Sequence, residues 1–172
     1  AVKSLEKAID IKPDFAEAHN NLGNALRNLG QLDDAVKSLE KAIDIKPDYA
    51  GAFDNLGSVL KELGQLDDAV KSYNKALAIK PDYAEVHNNL GIALKDLGQL
   101  DDAVKSLEKA IDIKPDFAEA YNNLGIALNE LGQLDAALKC CEQAIDIKPD
   151  YAEAYYNLGG TLEGLGQLDK AL

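Results

Sequence analysis

Apolar residues recur along this chain in two alternating registers, each with the period of a helix. Leu22, Ala25, Leu26 and Leu29 lie on one face of a first helix, and Ala35, Val36, Leu39, Ala42 and Ile43 on one face of a second. Between them stands Gly30, where a left-handed residue can stop the first helix. Lys46-Pro47 ends the second, because the residue before proline is pushed out of the helical region. The pair then returns. The stretch N-N-L-G-x-A-L-x-x-L-G-Q-L-D-x-A begins at Asn20, and its glycines fall at Gly23, Gly57, Gly91, Gly125 and Gly159, a step of 34 residues. Pro13, Pro47, Pro81, Pro115 and Pro149 keep the same step. A fixed period of this size predicts a solenoid, in which each unit buries its apolar face against its neighbours.

Local signals place the helix ends. Asp14 with Glu17 reads as an N-cap and third-position acid for the first helix, as do Asp82 with Glu85, Asp116 with Glu119 and Asp150 with Glu153. In the second unit Gly51 replaces the Glu, leaving Asp48 to cap alone. Asp33 and its copies are expected to cap the second helix. Gly23 and its copies stand in mid-helix, where glycine costs about 1 kcal/mol relative to alanine. The compensation expected is close approach of the paired helix at Ala35, which a side chain at Gly23 would push away.

A unit counted from Ala16 reads A-E-A-H-N-N-L-G-N-A-L-R-N-L-G-Q-L-D-D-A-V-K-S-L-E-K-A-I-D-I-K-P-D-Y. It resembles the tetratricopeptide repeat (TPR), with Leu-Gly at positions seven and eight, Ala at twenty and twenty-seven, and Pro at thirty-two. Position four departs from the Trp usual there, holding His19, Phe53, His87, Tyr121 and Tyr155. The resemblance implies an all-α, right-handed TPR superhelix, an α-solenoid of antiparallel helix pairs. Its units are a partial repeat at 1–15 with a second helix only, full repeats at 16–49, 50–83, 84–117 and 118–151, and a partial repeat at 152–172 that is mainly a first helix. All belong to a single array. The Asn-Leu-Gly triplet is most similar to the repeats of O-linked N-acetylglucosamine transferases and their bacterial relatives. In those, an asparagine at position six forms a ladder that holds extended peptide. The matching residues are Asn21, Asn55, Asn89, Asn123 and Asn157. A row of amides with no capping or turn task can equally bond the neighbouring helix and set the stacking angle.

Charge narrows the partners. The chain of 172 residues carries 30 acids against 18 bases, a formal charge of −12. A phosphate-tracking surface needs clustered Lys or Arg, so nucleic acid is not an expected partner. By the family resemblance the inner surface also uses positions two, five, nine, twelve and thirteen. These hold Glu17, Asp54, Glu62, Glu85, Asp96, Glu119, Glu130, Glu153 and Glu163 against Arg27, Lys61 and Lys95. Position two, with Glu17, Glu85, Glu119 and Glu153, lacks the basic residues with which some TPR domains grip acidic tails. A neutral or basic extended segment is the partner expected.

The remaining chemistry is sparse. No apolar run approaches the roughly 20 residues of a membrane span, so no membrane partner is expected. Cys140 and Cys141 are adjacent, without metal or redox spacing, and Cys141 takes the core place of Leu39, Tyr73 and Leu107. Such thiols fit a reducing, cytoplasmic setting. His19 and His87 share position four with aromatic copies and read as packing residues rather than metal ligands. Ser4, Ser38, Ser72 and Ser106 have no partnered histidine, and no phosphate loop or nucleophile elbow appears. The expectation is a non-enzymatic scaffold without cofactor that holds an extended peptide. The alternatives are the substrate-selecting arm of a larger glycosyltransferase, or a self-assembling or designed array. Assembly would be head to tail, through Leu5 and Ile9 on one open end and Leu158 and Leu162 on the other, a heterologous contact.

Overall fold

A computed structural model of the chain describes residues 1–166. The described residues form ten α-helices and no strand. They are α1 (Val2–Ile11), α2 (Ala16–Asn28), α3 (Leu32–Ile45), α4 (Ala50–Glu62) and α5 (Leu66–Ile79), then α6 (Ala84–Asp96), α7 (Leu100–Ile113), α8 (Ala118–Glu130), α9 (Leu134–Ile147) and α10 (Ala152–Gly164). The backbone divides into two compact units, Ala1–Asp82 and Tyr83–Leu172. In each unit, first and second helices pair as hairpins: α2 with α3 and α4 with α5, then α6 with α7 and α8 with α9. This is the all-α solenoid class that the period predicts.

The turn inside each hairpin explains why the first helix stops. Gly30 has φ +74°, and its N–H donates to the carbonyl of Arg27 while that of Gln31 donates to Leu26. This is a Schellman motif, and glycine reaches the required left-handed region without strain. Gln31 is at once the residue after that stop and the N-cap of α3. The second helix therefore begins at Leu32, and the expected cap at Asp33 is not made. Asp33 and Asp34 lie inside the first turn instead, where carboxylates interact favourably with the exposed N–H groups. Asp34 also accepts from Lys37 at 2.9 Å.

Asp14 and its copies do not cap the first helices either. The N-caps are Phe15, Tyr49, Tyr83, Phe117 and Tyr151, none with a side-chain capping bond. The Phe15 N–H closes a turn onto Lys12 while its carbonyl already accepts from Ala18 and His19. That tight succession moves the helix start one residue past the aspartate. At the far end, Lys46 is extended (φ −133°, ψ 87°) ahead of Pro47, as the sequence requires.

The core lies between helices. In the second unit Leu107, Leu124, Ala127, Leu128 and Ala137 form one buried cluster, and Ala84, Ala110, Phe117 and Ala120 another. At Gly23, Gly57, Gly91 and Gly125 the paired helix comes close over the mid-helix glycine. A Cβ on Gly23 would stand 2.5 Å from Leu39 Cγ and 3.2 Å from the Ala35 carbonyl oxygen. The close approach is thus made at Ala35 and filled by Leu39. Cys141 is fully buried in the place held by Leu39 and Leu107.

Candidate protein-interaction face

The first helices of each unit place their asparagines side by side. In the first unit, Asn55 Nδ2 donates to Asn20 Oδ1 at 2.8 Å. In the second, Asn123 Nδ2 donates to Asn88 Oδ1 at 2.8 Å and Asn157 Nδ2 to Asn122 Oδ1 at 2.9 Å. The acceptors at position five are buried: Asn20, Asn88 and Asn122. The donors at position six, Asn55, Asn123 and Asn157, are half-buried, as is Asn89, and Asn21 is exposed. One amide hydrogen of each donor is therefore committed within the fold. The other hydrogen and the Oδ1 belong to a half-buried side chain held by that bond.

That pairing was not legible from position six alone. Its signal is the asparagine at position five, as in Asn20-Asn21, Asn88-Asn89 and Asn122-Asn123, which accepts from position six of the following repeat. An unpaired buried amide oxygen costs about 1–3 kcal/mol, so Asn55, Asn123 and Asn157 also stabilise the stack.

The position-two acids have partners that the count of inner-surface charges left out. Lys46 stands 3.7 Å from Glu17, Lys114 3.4 Å from Glu85 and Lys148 3.8 Å from Glu119. Each lysine also lies over the ring that precedes the next helix: Lys46 over Tyr49, Lys114 over Phe117 and Lys148 over Tyr151, at 4.6–5.0 Å. The lysine of the I-K-P-D turn thus links an aromatic and an acid in one repeat after another. These pairs are about half exposed, so each contributes little to stability, but they neutralise part of the acid row. Glu153 has no such partner among the described residues. Arg27 donates to Glu62 at 2.7 Å between α2 and α4.

Other singled-out residues fall in the core or at the ends. His19 is buried, and its Nε2–H donates to the Pro13 carbonyl at 3.0 Å. Among the described residues no three His, Cys, Asp or Glu side chains come together as a metal cluster. None of the described helices is long and apolar enough to cross a membrane. Leu5, Ile9 and Leu158 are half-buried. Leu162 is buried, at 6% exposure, so it is not on an open face as the sequence reading expected. It turns inward because α10 packs on α9.

A stack of helical hairpins with a glycine in every first helix and a polar row along the first helices defines a repeat solenoid. The family profiles agree. One described as TPR repeat matches residues 1–30, 23–64, 57–98 and 93–132, and two described as tetratricopeptide repeat match 118–151 and 140–172. The chain belongs to the tetratricopeptide repeat family.

None of the curated proteins compared with it matches this chain. Among solved structures it is similar to PilW, a widely conserved type IV pilus biogenesis factor. That match has 25% identity and a TM-score of 0.91 over 98% of this chain and 79% of the other. It is similar to YrrB, a TPR protein with an unusual peptide-binding site, at 27% identity and TM-score 0.79 over 100% and 89%. It is also similar to MamA, at 28% and 0.80 over 91% and 85%. Fold and neighbours together point to protein or peptide partners in general.

Proposed function

We propose that the chain is a non-catalytic scaffold that holds an extended peptide along its asparagine rows. The observation that carries this reading is the preorganised amide: Asn55, Asn123 and Asn157 are each anchored through Nδ2 to the preceding first helix and stay half-buried, with one N–H and the Oδ1 not used in that bond. Amides already fixed lose little freedom when they bond a peptide backbone. Packed helices lie roughly 8–10 Å apart and extended peptide advances about 3.3–3.6 Å per residue, so one amide meets the peptide every few residues. The likeness of the Asn-Leu-Gly repeats to those of O-linked N-acetylglucosamine transferases supports the same reading, as does the peptide-binding site of YrrB.

Each hydrogen bond contributes about 0.5–1.5 kcal/mol net, so affinity should be modest and sequence tolerance broad. The test is selection of peptides from a random 12-residue library on the whole chain. Affinity for a selected peptide is then measured with Asn55, Asn89 and Asn123 replaced together by Ala, below the melting point of that variant. At least a tenfold loss with helicity retained is expected. Unchanged affinity, or no selected peptide at all, overturns the reading.

A second reading, end-to-end contact between copies, rests on a separate observation. Residues 1–14 repeat residues 35–48 letter for letter, yet α1 contains no buried residue. Among the described residues nothing lies within 4 Å of where a Cβ on Gly159 would stand, whereas Gly23 is covered by Leu39. Leu5 of a second copy fits that space as Leu39 fits its own.

A further inference from the structure

The repeat pattern of the first helices breaks most sharply between α8 and α10. Position five is Asn or Asp in the earlier repeats (Asn20, Asp54, Asn88, Asn122) and becomes Tyr156, which is 84% exposed. Position nine, Ile92 and Ile126 in α6 and α8, becomes Gly160. Position twelve is cationic at Arg27, Lys61 and Lys95, then turns to Asn129 and Glu163. A side chain is removed, an aromatic wall is raised and the charge is reversed, all at one place. The result is a pocket of about 540 Å³ lined by Ile126, Asn129, Glu130, Tyr156, Gly160 and Glu163, among others. That volume lies within the usual range for a ligand pocket.

The hydrogen bonds around the pocket leave it rich in acceptors. Asn129 Nδ2 donates to Thr161 Oγ1 at 2.9 Å, and the Thr161 hydroxyl donates in turn to the Asn157 carbonyl at 2.9 Å. Thr161 is buried, so this chain fixes Asn129 with one of its two amide hydrogens spent and its Oδ1 unspent. Glu130 shares Lys95 at 3.8 Å, and Glu163 has no cation beside it among the described residues.

We propose that this pocket is a subsite for one arginine or lysine side chain of a peptide bound along the asparagine row; it rests on the peptide-binding reading above. The methylenes of such a side chain pack on Tyr156 and Ile126. Its charged head lies over the Tyr156 ring, whose face attracts cations, and within reach of the Asn129 oxygen and the two carboxylates. An acidic side chain meets like charge here, and a short apolar one leaves the Glu163 carboxylate unserved.

The experiment is an NMR titration of the full-length, 15N-labelled chain with capped pentapeptides Gly-Ser-Xaa-Ser-Gly, where Xaa is Arg, Lys, Gln or Glu. The Arg and Lys peptides should shift amides of residues 126–130 and 156–163, the Gln peptide should shift them less, and the Glu peptide should leave them in place. Tyr156→Asn, which installs the residue found at this position in α2, α6 and α8, should weaken the Arg response about two- to fivefold. Glu163→Gln should weaken it and reduce its dependence on salt. Equal responses to Arg and Gln, shifts confined to other residues, or variants that bind as well as the parent overturn the subsite. No response to any pentapeptide also overturns it. The broader reading then stands or falls separately, on the 12-residue library.

Discussion

The helix pairs α4–α5 and α8–α9 occupy the same place in the repeat, yet they fill the space over the mid-helix glycine in opposite ways. Over Gly57 lies the ring of Tyr73, whose carbons would stand 2.6–2.9 Å from a Cβ there. Over Gly125 lies the thiol of Cys141, with Sγ at 3.1 Å. The larger group brings a polar tip into the core, and the sequence answers nearby: Ser58, at a position that is Ile92 and Ile126 in α6 and α8, meets the Tyr73 hydroxyl at 3.2 Å. The smaller group lies beside Thr161, where α6 and α8 have Ala93 and Ala127. A repeat therefore tolerates a large change of core volume at one position when a neighbouring position changes with it.

The largest test of this difference is a methyl group at each glycine. In Gly57→Ala the new Cβ meets a buried ring that cannot turn aside. Overpacking typically costs about 1–3 kcal/mol, and the helical gain of about 1 kcal/mol offsets only part. Gly125→Ala meets a single sulfur at a tighter than ordinary distance, and the two effects should nearly cancel. Urea midpoints of both variants measure this. Equal losses at the two sites would show that Tyr73 is not what makes Gly57 obligatory.

Next in size is the buried hydroxyl. Tyr73→Phe removes the bond to Ser58 and should cost about 0.5–1.5 kcal/mol at neutral pH. Burial pushes the Tyr73 phenol up to about 12, with the Ser58 bond opposing, against about 10 in the unfolded chain. A raised folded value means that the stabilisation is intact below about pH 10 and is lost as pH rises toward 12. Stability of the parent should fall more steeply than that of Tyr73→Phe across this window. One of the seven tyrosines should also titrate last in ultraviolet absorbance. Parallel pH profiles would break the argument.

The hairpins were legible in the sequence because their signals repeat. Five glycines, five prolines and two apolar stripes in register leave one solution, and they assign Gly23 to helix contact. The caps were misread because Asp14 and Asp33 match a general N-cap pattern. Here the turn geometry instead gives that place to Phe15 and Gln31, whose carbonyls already serve as first acceptors. Part of the interaction face was visible as a row of asparagines. What a single repeat cannot show is that Asn55 bonds Asn20, or that Lys46 stands beside Glu17, because both contacts need the three-dimensional stack. The Tyr156 pocket is visible only as a departure from a rule that the other repeats define.

The smallest effect expected is at Gly159, the glycine of this series with nothing described above it. Its helix also carries Gly160 and Gly164, so at about 1 kcal/mol each α10 should exchange its amide hydrogens before α6 and α7 in dilute solution. Gly159→Ala has no described neighbour to strike and regains helix propensity, so it should slow exchange in residues 152–164 by up to about fivefold. The same methyl has the opposite consequence if a second copy docks Leu5 there. In the Gly23 slot a Cβ would stand 2.5 Å from Leu39 Cγ, so the substitution should weaken end-to-end association while it stabilises the monomer. Sedimentation velocity over a concentration series separates the two effects. Self-association unchanged in Gly159→Ala, beside slower exchange, would remove Leu5 from that slot and leave the end of α10 without a partner from this chain.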